Sequence, residues 1–229
     1  MIPSEKVFNS LRGLGDDPVI LSCSVGLCGL LFLLLLLRAS TRKRPAKSQH
    51  RGCAVVLVTG CDSGFGKLLV AKLIDDGFVV VCACLTDAGK AALPAGAVGF
   101  DGDLTDSSKL KSLVSLTEST VEAGEGRYLH AVINNAGVCM PGNVLWTHPD
   151  SYRKTMDINF FVPVHLTYSL LPLLKQSKGR VVNVSSIDGF LSLPANAAYN
   201  CSKSAIEAYS DTLRCEMIPF GVKVILIGE

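Results

Sequence analysis

Between residues 54 and 227, short runs of continuous apolar residues alternate with stretches of helical periodicity. This alternation restricts the possible folds more than any other property of the chain. The apolar runs Ala54–Val58, Phe78–Leu85, Ala97–Phe100, Tyr128–Ile133, Arg180–Val184 and Val222–Ile227 read as six strands. Strands without polar alternation are buried on both faces, which is the condition of a parallel sheet covered on both sides. Between them, Phe65–Asp76, Leu110–Glu122, Asp150–Lys175 and Ala197–Met217 read as helices. The first is expected to turn Leu68, Leu69, Ala71, Leu73 and Ile74 inward, and the third to bend at Pro163. Right-handed crossovers then give an α/β fold, a doubly wound parallel sheet of the Rossmann type.

The 229 residues allow one such domain, here 53–229, with an appendage before it. Residues 1–18 are a short polar lead and 38–52 a basic linker. Between them Val19–Leu37 carries no charge and ends in a leucine-rich run. Nineteen such residues span about 28 Å, close to the bilayer hydrocarbon thickness. The segment is therefore expected to be an N-terminal transmembrane helix, with a cleaved signal peptide as the alternative. Arg38, Arg42, Lys43, Arg44, Lys47 and Arg51 follow it, which predicts that the globular part faces the cytosol. A single-pass protein of the endoplasmic reticulum membrane is expected, or alternatively of a mitochondrial membrane. The net charge of +2 has no basic stripe with interleaved aromatics, so no nucleic acid partner is expected. The four histidines are scattered and no Cys-x-x-Cys pair occurs, so no metal site is expected. The nine cysteines read as buried thiols in a reducing compartment.

Thr59-Gly60-Cys61-Asp62-Ser63-Gly64-Phe65-Gly66 joins the first strand to the first helix. Gly60 permits the turn, Gly64 lets backbone amides approach a pyrophosphate, and Gly66 lets helix and strand pack closely. The helix N-terminus adds partial positive charge. Thr59, Gly60, Ser63, Gly64, Phe65 and Gly66 are thus expected to bind a dinucleotide. Asp87, after the second strand, is placed to accept hydrogen bonds from the adenosine ribose, or else to cap the next turn. No arginine lies nearby and the first lysine is Lys90, which favours NAD over NADP. Asp103 is expected near the adenine amino group, and Asn135, Ala136 and Gly137 leave room for the cofactor at the end of the fourth strand.

Tyr199 and Lys203 lie four residues apart on a predicted helix and share one face. A free tyrosine has a pKa of about 10, and a neighbouring ammonium draws the phenol toward the working range of a general base. Ser186, thirteen residues before Tyr199, leaves the fifth strand where its hydroxyl can hold a substrate oxygen; Ser185 is its rival for that role.

Taken together, Thr-Gly-x-x-x-Gly-x-Gly, Asn-Asn-Ala-Gly at 134–137, Asn159, Ser186, Tyr199 and Lys203 resemble the classical short-chain dehydrogenase/reductase family over about residues 53–229. The details look nearest to the branch of retinol, hydroxysteroid and 3-hydroxybutyrate dehydrogenases. The resemblance implies Ser186 polarising the substrate oxygen, Tyr199 as general acid/base, and Lys203 lowering its pKa and binding the nicotinamide ribose. Asn159 would hold a water that passes protons from Lys203 to solvent. A homodimer through the two long helices is implied as well. With the anchor, the expected function is a membrane-anchored, NAD-dependent oxidoreductase acting on a lipophilic alcohol or carbonyl of the retinoid or steroid class. Val162 departs from the family's glycine. The family's Pro-Gly turn, substrate segment and seventh strand do not follow Gly228-Glu229, so the sheet is expected to be C-terminally truncated, with its sixth strand unpaired on one side. A non-catalytic variant acting through dimerisation or nucleotide binding is the alternative.

Overall fold

The computed structural model describes residues 51–228. Six strands form one parallel sheet: β1 (Ala54–Thr59), β2 (Val79–Cys84), β3 (Val98–Asp101), β4 (Tyr128–Asn134), β5 (Arg180–Val184) and β6 (Lys223–Ile227), in the order β3-β2-β1-β4-β5-β6. The order reverses beside β1, between β2 and β4. In open α/β sheets, ligands bind outside the carboxyl ends of the strands at such a point.

Helices α1 (Gly64–Asp75), α2 (Asp87–Ala91), α3 (Ser107–Glu122), α4 (Pro149–Met156), α5 (Val162–Ser177), α6 (Ile187–Phe190) and α7 (Ala197–Met217) connect the strands. The side chains of β1 alternate between two cores because strand residues point to opposite faces in turn. Val55 and Leu57 pack with Leu113 of α3, Leu166 and Leu170 of α5, and Leu213 of α7. Val56 and Val58 pack with Val70 of α1 and with Val80, Cys82 and Ile133. Each fully buried aliphatic side chain contributes about 1.5–3 kcal/mol relative to exposure.

Two expected elements differ in detail. Helix α1 buries Gly66 and Val70, while Leu68 is 69% exposed and Ala71 is exposed. Leu69, Leu73 and Ile74 pack against the core as expected, so the departure is confined to Leu68 and Ala71, while Gly66 lets the helix lie close to β1. The expected single helix over 150–175 is two helices joined by a π-helical turn, Asp157–Phe161. Val162 N–H bonds back to the Asp157 carbonyl, five residues away. Pro163 has no N–H with which to continue the α-helical ladder, so the widened turn forms just before it. Val162 itself is buried in the core.

The transmembrane helix expected at 19–37 lies outside the described residues. Among the described residues, no helix is long and apolar enough to cross a membrane. The longest, α7, carries Lys203, Glu207, Asp211, Arg214 and Glu216 within its 21 residues, whereas a span needs about 20 predominantly apolar ones. The expectation of a membrane-anchored protein is corrected accordingly. So are the membrane as its partner and the endoplasmic reticulum or mitochondrial membrane as its location. The described cysteines are free thiols, and the expectation of burial holds for only some of them: Cys61, Cys82 and Cys84 are buried, whereas Cys139, Cys201 and Cys215 are exposed.

A buried polar chain ties the carboxyl ends of the central strands to α7. Asn134 Nδ2 donates to Asn183 Oδ1 (2.7 Å), Asn183 Nδ2 donates to Ser210 Oγ (2.8 Å), and Ser210 Oγ donates to the Ile206 carbonyl (2.6 Å). Buried amides lose solvation, so their mutual bonds fix strand and helix in one register. This chain holds α7, and with it Tyr199 and Lys203, over the ends of β4 and β5. At the outer edge β6 pairs with β5, and Ile225 and Ile227 are partly exposed.

Candidate active site

The glycine-rich turn is pinned from both sides. Gly60 and Cys61 N–H donate to the Ala83 carbonyl on β2 at 2.9 and 3.1 Å. On the β4 side, Thr59 Oγ accepts from the N–H groups of Asn135 and Ala136 (3.1 and 3.0 Å). Asn135 Nδ2 in turn donates to the carbonyls of Thr59 and Gly60. Gly60 (φ +72°) and Gly64 (φ +55°) have left-handed backbone. A Cβ on Gly66 would lie 2.1 Å from the Gly60 carbonyl oxygen. The turn thus depends on the glycines for conformation and for close approach.

Ser63 is the N-cap of α1, but its side chain makes no capping bond, and the first turn carries no acidic residue. The leading N–H groups of this twelve-residue helix therefore suit an external anion. A cavity of about 500 Å³ opens here. It is lined by Gly60, Asp62, Ser63 and Phe65 from the turn, by Cys84, Leu85 and Thr86 after β2, by Asp103 after β3, and by Asn135, Ala136 and Gly137 after β4. A lining drawn from the ends of four strands, beginning at the N-terminus of α1, fits a dinucleotide.

Of the residues expected to hold the cofactor, Gly60, Ser63, Phe65, Asp103, Asn135, Ala136 and Gly137 line this cavity, whereas Thr59, Gly64, Gly66, Asp87, Tyr199 and Lys203 do not. Thr59 and Gly66 act from behind, through the bonds and close contact just described. Asp87 sits in the first turn of α2, with Thr86 as the N-cap accepting from Gly89 N–H. Asp103 Oδ1 accepts from both the N–H and the hydroxyl of Thr105 (2.9 and 2.8 Å).

Sequence reasoning passed over Asp62. Its Oδ2 accepts from Leu85 N–H (2.8 Å), and its Oδ1 accepts from Thr86 N–H (3.1 Å) and the Thr86 hydroxyl (2.9 Å). Its partial burial alone would raise its pKa, but these three donors outweigh that and hold it below the usual carboxylate value. The sequence offered one signal: an acidic residue inside a turn otherwise suited to phosphates. Lys90 is paired with Asp101 at 2.6 Å.

Ser186, Tyr199 and Lys203 do not line this cavity; they form a second group, around the ends of β5 and α7. Lys203 is buried on α7, and its Nζ donates to the Val184 carbonyl at the end of β5 (2.8 Å) and lies 5.3 Å from the Tyr199 ring centroid. Ser186 is the N-cap of α6, its Oγ accepting from Asp188 N–H at 3.3 Å. Ser185 faces away from this position: it is buried, with its hydroxyl donating to Glu207 Oε1 (2.7 Å). Asn159 occupies the π turn. Its Oδ1 accepts from Val138 N–H (2.8 Å), and its Nδ2 donates to the Val138 carbonyl and Ser202 Oγ (2.9 Å each). The amide is thus fully engaged in clamping the segment after β4 to α7. The residue four along is Pro163, which has no N–H to offer the Asn159 carbonyl.

Gly137 joins the two halves. A Cβ there would lie 3.3 Å from Asn159 Oδ1 and 3.8 Å from Lys203 Nζ. The cavity wall and the lysine therefore meet at a residue without a side chain.

Residues 54–228 match the sequence profile of the short chain dehydrogenase family, and the chain belongs to that family. It is 39% identical over 173 residues to retinol dehydrogenase 7 from Mus musculus, covering 75% of this chain and 54% of that protein. The chain thus spans about half the length of the curated relatives that it matches. Among solved structures it resembles an oxidoreductase of the short-chain dehydrogenase/reductase family from Brucella ovis, in complex with a partially ordered NAD. The two are 29% identical with a TM-score of 0.69, over 76% of this chain and 82% of that one. A short-chain dehydrogenase from Burkholderia cenocepacia in complex with NADP is 26% identical with a TM-score of 0.68, over 79% and 74% of the two chains.

Proposed function

We propose that this chain is an NAD-dependent oxidoreductase that moves a hydride between the dinucleotide and an alcohol or carbonyl of a lipophilic molecule, of the retinoid or steroid class. The observation that carries the proposal is Gly137, which lines the cavity and lies beside Asn159 and Lys203. The relatives' names support the chemistry and the substrate class. Residues 53–229 as one dinucleotide-binding domain are part of the proposal, and so is a homodimer through α5 and α7.

When bound, the nicotinamide accepts or gives the hydride. The protein's own residues manage the proton. Ser186 Oγ holds the substrate oxygen, and Tyr199 takes the proton from the alcohol oxygen as the carbonyl forms. The buried Lys203 ammonium, fixed by the Val184 carbonyl, stabilises the phenolate. With the Asn159 side chain engaged by Val138 and Ser202, the relaying water is assigned to its main-chain carbonyl. Trp146 and Leu145 on the loop after β4, and Phe190 and Leu191 after Ser186, are exposed apolar side chains. The two segments are tied by Gly142 N–H to the Ala195 carbonyl (2.8 Å) and by Cys139 Sγ to Asn196 Oδ1 (3.1 Å). An apolar surface beside a polar catalytic group suits a lipophilic alcohol.

The test is absorbance at 340 nm with NAD and a panel of retinol and hydroxysteroids, on the wild type and Tyr199→Phe. The variant is expected to lose about a thousandfold in turnover, within the range of general acid–base catalysis, while its NAD affinity stays within about twofold. Equal turnover in the two proteins defeats the role given to Tyr199.

A further inference from the structure

Two consecutive backbone N–H groups, of Leu85 and Thr86, and the Thr86 hydroxyl converge on one point at the end of β2. Three donors aimed at one point form an anion seat. The seat lies on the cavity wall, since Asp62, Leu85 and Thr86 all line the cavity. Its occupant is the carboxylate of Asp62, reaching across from the glycine-rich turn 23 residues earlier in the chain. Room for that carboxylate is left by Gly89, where a Cβ would lie 2.2 Å from Asp62 Oδ1.

Resting on the dinucleotide reading above, we propose that Asp62 is a built-in surrogate for a 2′-phosphate and sets the preference for NAD over NADP. The end of β2 is where an open α/β sheet of this topology receives the adenosine ribose. A 2′-phosphate arriving there needs N–H and hydroxyl donors and a cation. Asp62 already engages the donors. Its negative charge repels a second anion. Lys90, the first cation after β2, is held by Asp101. A 2′-hydroxyl needs neither donor cluster nor cation. A carboxylate has about four acceptor positions, and three are filled, which leaves one for a ribose hydroxyl. Asp87, the acidic residue that the sequence suggested for this task, does not line the cavity.

The experiment measures dissociation constants of NAD and NADP by calorimetry on the whole chain, for the wild type, Asp62→Asn and Asp62→Ala. The wild type is expected to bind NAD the more tightly. In Asp62→Ala the seat is emptied and the charge removed, so the ratio of the NADP to the NAD constant is expected to fall by about tenfold or more, the equivalent of one pKa unit of like-charge repulsion. Asp62→Asn removes the charge but keeps an acceptor for the loop, so it tests the point even where Asp62→Ala fails to fold. Its ratio is expected to fall at least about threefold, with NAD affinity nearly retained. A ratio unchanged in Asp62→Asn, or a wild type that binds both dinucleotides equally, overturns the assignment of Asp62. A wild type that binds neither dinucleotide overturns the cofactor reading itself, and so fails in a distinguishable way.

Discussion

Gly66→Ala adds one methyl group at the tightest point of the fold. An ideal Cβ at position 66 lies 2.1 Å from the Gly60 carbonyl oxygen, 2.9 Å from its carbon and 2.7 Å from Asn135 Nδ2. Ordinary carbon–oxygen contact begins near 3.4 Å, so helix and turn must separate by about 1.3 Å. The obstacle is backbone and a braced amide rather than the end of a flexible side chain, so the overlap costs about 3 kcal/mol, the upper part of the overpacking range. The Asn135 bond to the displaced Gly60 carbonyl, 3.2 Å long, is lost as well, at about 1 kcal/mol. Alanine returns about 1 kcal/mol of helix propensity. The net loss is about 3 kcal/mol, or about 6–12 °C in Tm for a domain of this size. Urea unfolding followed by circular dichroism measures it, with NAD affinity measured alongside. Gly64→Ala is the control, because nothing lies within 4 Å of its Cβ. Its cost is only the left-handed backbone, about 1–2 kcal/mol. Gly66→Ala as stable as the wild type, with unaltered NAD affinity, would refute the close-approach reasoning.

Two pH effects follow from the cavity wall. Burial pushes the Cys84 thiol up to about 11, helped by the nearby Asp62 carboxylate. At pH 8 about one molecule in a thousand carries the Cys84 thiolate, and its side chain is buried. Iodoacetamide followed by peptide mass spectrometry should therefore label the exposed Cys139, Cys201 and Cys215 well before Cys84. Comparable rates would contradict the burial. Asp62 is held below its ordinary 3.8 by its three donors. A depressed carboxylate pKa stabilises the fold above the unfolded value, and that contribution disappears as pH falls through the lower folded one. Wild type should thus lose stability relative to Asp62→Asn as pH drops below about 3.8. An equal difference in Tm at pH 3 and pH 6 would contradict this.

The parts of the fold that sequence determines locally were legible. Helix α7 runs over Ala197–Met217, as its periodicity indicates, and the six continuous apolar runs are the six strands within a residue or two. The glycine trio and the Tyr199–Lys203 pair carried the site because spacing alone specifies their geometry: a tight turn in one case, one helical face in the other. Where tertiary packing decides, sequence was silent. Leu68 reads as inward but is exposed, with α1 lying close to β1 at Gly66. The bend near Pro163 was legible, but its π geometry, and the capture of the whole Asn159 side chain by Val138 and Ser202, depend on elements far apart in sequence. The acidic group at the end of β2 comes from the turn before it: Asp87 is near in sequence, whereas Asp62 is near in space. The apolar segment at 19–37 suggested a span; it lies outside the described residues, and no described helix is long and apolar enough to cross a bilayer.

Crystals of the chain grown with NAD decide whether the cavity and the Tyr199–Lys203 pair form one site. The pyrophosphate should rest on the N–H groups that open α1, and the nicotinamide ribose should lie within hydrogen-bonding reach of Lys203 Nζ beside Gly137. A dinucleotide bound elsewhere, or one whose nicotinamide lies remote from Tyr199, would contradict the reading.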